Sequence, residues 1–193
     1  MGILEEMRKF RSRRLVRDLP AWPIDGQEEG HIVQVYSGAF PADRVAEFVR
    51  QGITSGEVAL IVATADHVKQ VDALLGPQLG KVVYLDAEDA LGTFMVDGHP
   101  DRQRFLDNVG DLVEQAAAAG NGRVRAFGEM VVVLCDQGNV EAAQELEDLW
   151  NEVSRRHRLK LLCSYPASTM AAIGRTGQTR LVDTHSHAVQ PAP

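Results

Sequence analysis

The rhythm of apolar positions changes at His31. Before it, Leu4, Met7, Phe10, Leu15 and Leu19 recur close to helical spacing with one slip, until Pro20 and Pro23 break the pattern. That predicts an amphipathic helix followed by a linker. From His31 onward, strand and helix signals alternate. HIVQVY carries β-branched residues two apart, ADRVAEFVRQGI sets Val45, Phe48, Val49 and Ile53 on one helical face, and VALIVA is a continuous apolar run of the kind buried on both sides. A helix from Ala65 to Gly76-Pro77 and a strand in KVVYLDA come next. An order of β, α, β, α, β with short joints such as Ser55-Gly56 predicts a parallel sheet with crossover helices.

In the second half, DAEDALGTFM reads as helix, VDGHPD as a turn, and RQRFLDNVGDLVEQAAAAG as one long helix closed by Gly120. VRAFGE returns to the sheet. VVVLC, residues 131–135, suits a strand by its branched side chains and a buried helical turn by its length, and the pattern leaves both open. NVEAAQELEDLWNEVSRRH is a helix with Asn139 as cap, Leu146, Leu149, Trp150 and Val153 apolar, and a basic last turn. LKLLCSYP reads as a short buried strand and RLVDTHSHAV as one more. The division that follows is a basic arm and linker over 1–29, an α/β domain over 30–190, and a disordered tail over 191–193.

Composition narrows the classes. A chain of 193 residues suits one domain with a proper core, and no apolar run approaches the roughly 20 residues of a membrane helix. The start MGILEEMRKF shows no secretory or myristoylation signal, and Cys135 and Cys163 form no CxxC, so a reducing cytoplasm is the expected location. The net charge of −7 is uneven. Arg8, Lys9, Arg11, Arg13, Arg14 and Arg17 outweigh three acids in residues 1–19, while the remainder holds 14 basic against 24 acidic residues. An acidic body argues against a nucleic-acid surface. The arm either packs on its own domain or a second copy, or docks to a membrane surface or partner protein.

The chemistry expected of a nucleotide machine is missing. The turn after HIVQVY is SGAFPADR, which keeps one glycine of GxxxxGK[ST], is obstructed by Phe40 and Pro41 and has no lysine; GRTGQTR also lacks the lysine, and no GxGxxG occurs. Glu129 falls at a strand's carboxyl end, where it is expected to organise a crevice by hydrogen bonding. Asp136, Asp66 and Asp86 are expected caps. His185 and His187 on a strand would share a face, but a third metal ligand at recognisable spacing is missing, so an exposed terminal strand is expected and no metal or cofactor is assigned. His31 reads as a strand start and His157 as a helix C-terminal cation. Ser37 and Ser164 lie in no nucleophile motif, so no catalytic residue is expected.

The segments HIVQVY, ATADH, FMVDGHPDRQRF, VRAFGEMV, LEDLWNEV, LLCSYP and THSHAV occur in an order that resembles the MEDS domain, the sensory module named for methanogens, methylotrophs and a dichloromethane-responsive regulator. The resemblance spans about residues 30–190. It implies a three-layer, KaiC- or RecA-like α/β fold whose phosphate loop has been lost, and signal sensing rather than catalysis. Its motifs, laid on this chain, nominate Tyr36, Phe94, Met95, Asp97, Arg125, Glu129, Trp150, Asn151, Tyr165 and His185 for an effector crevice. The leading expectation is a non-enzymatic cytoplasmic module that binds a small organic effector or a regulatory partner and signals by protein association, homo-oligomers included. The rivals are a degenerate ATP binder and a scaffold acting through the arm.

Overall fold

The computed structural model describes residues 29–77 and 81–189; residues 1–28, with the basic arm and nearly all of its linker, and the tail lie outside the described residues. Strands β1 (Gly30–Tyr36), β2 (Val58–Ala63), β3 (Val82–Asp86), β6 (Arg123–Gly128), β7 (Arg158–Pro166) and β8 (His187–Ala188) form one sheet in the order β3-β2-β6-β7-β1-β8. Every pairing in it is parallel. Strands β4 (Met95–Val96) and β5 (His99–Pro100) make a separate antiparallel hairpin.

Alternation along each strand divides the core between two faces. On one face, helices α1 (Ala42–Thr54) and α2 (Ala65–Leu75) lay Val45, Phe48, Val49, Val71 and Leu75 against Ile32, Ala59, Ile61, Phe127 and Leu162. The other face carries α3 (Ala87–Gly92), α4 (Arg102–Phe105), α5 (Asp111–Ala119), α6 (Met130–Asp136), α7 (Val140–Arg156), α8 (Ala167–Ala172) and α9 (Gly174–Asp183). There Phe94, Phe105, Met130, Leu146 and Trp150 cover Val33, Val35, Leu60, Ala126 and Leu161. The result is a three-layer α/β fold. Among the described residues, no helix is long and apolar enough to cross a membrane.

Local signals account for many of the boundaries. Asp86 caps α3 by accepting from the Glu88 and Asp89 amides at 2.9 and 3.2 Å, and Asn139 caps α7 through the Ala142 amide at 3.2 Å. Asp97 and Gly98, with φ of 50° and 83°, form the two-residue turn of the β4–β5 hairpin, as an Asp-Gly pair favours. Asp66 is not a cap, because Thr64 holds that position and Asp66 faces Lys69 at 3.4 Å.

Tertiary burial decides other segments against local propensity. VVVLC lies within α6: the Glu129 amide makes a last sheet bond to Val62, then the Glu129 carbonyl accepts the first helical bond from Val133. The expected long helix is interrupted by a π-helical turn over Leu106–Gly110 between α4 and α5. The expected strand RLVDTHSHAV begins as the end of α9, over residues 180–183, and then turns before a short strand. Its Leu181 and the preceding Gly177 are buried four apart, a helical spacing, and only His187–Ala188 pair with the sheet.

Candidate functional site

Chain direction makes the strand exits diverge at the carboxyl edge of the sheet, where a crevice is expected. Strand β2 feeds α2 on one face, while its neighbour β6 feeds α6 on the other, so the two exits diverge. Such divergence is where ligands of parallel α/β sheets bind. Glu129, buried immediately after β6, bridges the divergence. Its Oε2 accepts from the Thr64 amide at 3.1 Å, and its two oxygens lie 2.8 and 3.0 Å from His67 Nδ1. Glu129, expected to organise a crevice by hydrogen bonding, makes hydrogen-bonding contacts to Thr64 and His67. The loop from β1 supplies Phe40, whose ring stacks on His67 at 3.7 Å and 12°. Tyr36 stands edge-on to Phe40 at 6.2 Å. Burial, with the charges of Glu129 and Asp136 added, pushes the Tyr36 hydroxyl up to about 12. Asp136 ends α6 and accepts from Thr169 Oγ1 at 2.6 Å, a helix-to-helix tie in place of the expected cap.

At the start of α1, three backbone amides are bonded within their own segment. The Ala42 amide bonds the Phe40 carbonyl at 2.9 Å, and the Arg44 and Val45 amides bond the Pro41 carbonyl at 3.1 and 3.2 Å. Pro41 itself has no N–H. A phosphate cradle depends on free backbone donors at this point.

Of the ten nominated residues, Tyr36 and Glu129 belong to this crevice. Asn151, Tyr165 and His185 belong to a second group beneath α7, together with His31, Glu147 and Cys163. His31 lies at the start of β1, as expected, but its side chain is buried, and His185 is buried before β8 rather than exposed on it. His185 and His187 thus do not share a strand face. Glu147 receives the Tyr165 hydroxyl, and its Oε2 lies 3.2 Å from His31 Nε2. Burial raises the Glu147 carboxyl to about 8 against the opposing bond from Tyr165, and lowers His31 to about 4 despite its bond to Asn151. It likewise holds His185 well below, and the Cys163 thiol well above, their ordinary values.

The other five nominees are dispersed. Phe94 and Trp150 each pack edge-on against Phe105, at 5.1 and 5.5 Å, in the core. Met95 and Asp97 build the hairpin. Arg125 lies near the opposite, amino edge of the sheet. It makes a two-point ion pair with Glu57 at 2.8 and 3.1 Å and lies over the Phe48 ring at 4.8 Å.

Sequence reasoning missed Phe40, Thr64 and His67 in the crevice, and Glu147 and Cys163 beneath α7. One signal was present for the latter: Glu147 falls within the apolar stripe of Ala143, Leu146, Trp150 and Val153, where an acid must have a partner. An open polar groove of about 340 Å³ along α4 and the π-helical turn, with Arg102, Asp107 and Arg156 on its walls, contains none of the nominees. Comparison with protein families matches residues 30–186 to MEDS, the MEthanogen/methylotroph, DcmR Sensory domain.

Proposed function

We propose, from the premise that this chain belongs to the MEDS family of sensory domains, that it is a non-enzymatic regulatory module. It takes a small organic effector at the carboxyl edge of its sheet and passes the occupied state to a partner protein or a second copy. The observation that carries this reading is the side-chain cluster at the carboxyl edge of the sheet. The first amides of α1 bond to their own loop, Phe40 lies over His67, and Glu129 holds Thr64 and His67. What the crevice offers is the flat surfaces of Tyr36, Phe40 and His67 beside a few polar groups, which suits a compact organic molecule. Displacing the Phe40 ring couples occupancy to the β1–α1 loop, and movement of that loop would carry the signal.

The expected behaviour of the full chain is a melting temperature raised by small organic compounds and unchanged by Mg·ATP, with no ATP turnover above blank. Enzymatic turnover would end this reading. For the arm, outside the described residues, the proposal is partner docking through Arg8, Lys9, Arg11, Arg13, Arg14 and Arg17. Deletion of residues 1–19 should abolish partner capture without lowering the melting temperature, and unchanged capture would remove the arm from the account.

A further inference from the structure

The side chains beneath α7 come from four parts of the fold: His31 from β1, Glu147 from α7, Cys163 from β7, and His185 from the segment between α9 and β8. One donor atom from each lies within 4.8 Å of all the others. His31 Nε2 is 3.2 Å from both Glu147 Oε2 and Cys163 Sγ, and His185 Nε2 is 3.5 Å from Glu147 Oε1. All four residues are buried.

The hydrogen bonds on the far sides of the rings determine what points inward. Asn151 donates its amide N–H to the Thr184 carbonyl at 2.9 Å, which turns its Oδ1 toward His31 Nδ1 at 3.1 Å. His31 Nδ1 therefore carries the hydrogen, and Nε2 presents a lone pair to the cluster. His185 Nδ1 faces the Leu181 carbonyl at 2.6 Å and must donate to it, so its Nε2 also presents a lone pair. Two imidazole lone pairs, a carboxyl group and a thiol thus converge among buried residues. His185 Nε2 has no hydrogen-bond partner there, and Glu147 Oε2 has only His31 Nε2, at 3.2 Å, facing it. Buried polar atoms without partners are rare and call for an explanation.

We propose that His31, Glu147, Cys163 and His185 form a mononuclear site for a divalent transition-metal ion of the zinc class. Zinc bonds of about 2.0–2.3 Å set tetrahedral edges of roughly 3.3–3.8 Å; the three shortest contacts in the group, 3.2, 3.2 and 3.5 Å with Glu147 using a different oxygen toward each histidine, are of that size, and the other donors, within 4.8 Å, would draw in on binding. The sulfur and two nitrogens disfavour magnesium and calcium, which take oxygen ligands. On binding, the Cys163 thiol and the Glu147 carboxyl release their protons to solvent, and the two resulting negative charges neutralise the ion. Asn151 and the Leu181 carbonyl hold the two imidazoles through their other nitrogens, and Tyr165 holds Glu147, as ligands of such sites are held. The ion would fasten the segment before β8 to β1, β7 and α7. This inference is independent of the effector reading. It departs from the absence of metal expected from sequence because the four ligands lie far apart in the chain.

The test is metal analysis and cobalt substitution of the full chain, purified without chelator. Zinc should be found at about one equivalent per chain, as a structural four-ligand site retains it. Cobalt added to stripped protein should give the strong visible bands of tetrahedral coordination and a thiolate charge-transfer band in the near ultraviolet. Cys163→Ser should lose the charge-transfer band, and zinc should raise the melting temperature of stripped wild-type protein. Folded wild-type protein that retains no zinc and gives only the weak bands of octahedral cobalt would overturn the proposal, whatever the variant does. A charge-transfer band that survives Cys163→Ser would overturn the ligand assignment.

Discussion

Removing the Glu129 carboxylate separates an organising role from a reactive one. In Glu129→Ala, the Thr64 amide loses its acceptor and His67 Nδ1 loses contacts at 2.8 and 3.0 Å. Hydrogen bonds to a charged group contribute about 1.5–3 kcal/mol each. The His67 side chain is 26% exposed and Thr64 is half-buried, so water recovers part of the loss. The expected cost is about 2–4 kcal/mol, which for a domain of this size lowers the melting temperature by roughly 5–15 °C. Glu129→Gln keeps one acceptor oxygen and should lose about half as much. Equilibrium urea unfolding with an unchanged slope is the assay. An Ala variant as stable as the wild type, or more stable, would refute the reasoning, because removal of an acid held under strain for chemistry relieves the fold rather than weakening it.

Other expectations follow from the same geometry. Arg125→Met leaves buried Glu57 without its cation and should cost about 3–5 kcal/mol in urea unfolding, while a loss near zero would mean that water replaces the pair. At Asp97, with φ of 50°, glycine should be tolerated and valine should cost about 1–2 kcal/mol by thermal melts. Equal melts for the two would refute the turn role. All three tyrosines are raised: Tyr36 by burial and then Glu129 and Asp136, Tyr84 by burial and its bond to Asp72, and Tyr165 by burial and Glu147. The folded protein therefore keeps phenol protons that the unfolded chain gives up near the ordinary value of about 10. Their stabilising contribution is intact below that pH and is lost as pH climbs from there through the folded values. Tyrosinate absorbance should accordingly appear together with loss of circular dichroism, and a separate earlier step would contradict the assignment.

The scaffold was legible where one local rule operates alone. VALIVA and LKLLCSYP are apolar on both faces because they lie inside a parallel sheet, and Asp86 and Asn139 mark helix starts by a bond reaching only two or three residues. VVVLC and RLVD were not legible as helices, because burial against α7 and against the rest of that layer outweighs their β propensity. Glu129 could be placed because the end of a strand is visible in sequence. Its partners could not, since the loops holding Thr64 and Phe40 meet it only after the strand order is set. Phe94, Trp150 and Arg125 carry residue types common in binding sites, yet they are in the core and in a structural ion pair. Burial and binding draw on the same chemistry, and only position distinguishes them.

The most direct test of the sensory reading is a thermal-shift measurement of the full chain against a panel of small organic compounds, with Mg·ATP alongside. The account predicts a shift from an organic compound that Phe40→Ala diminishes, and none from Mg·ATP at millimolar concentration. A shift from Mg·ATP, or silence from every organic compound, would contradict it.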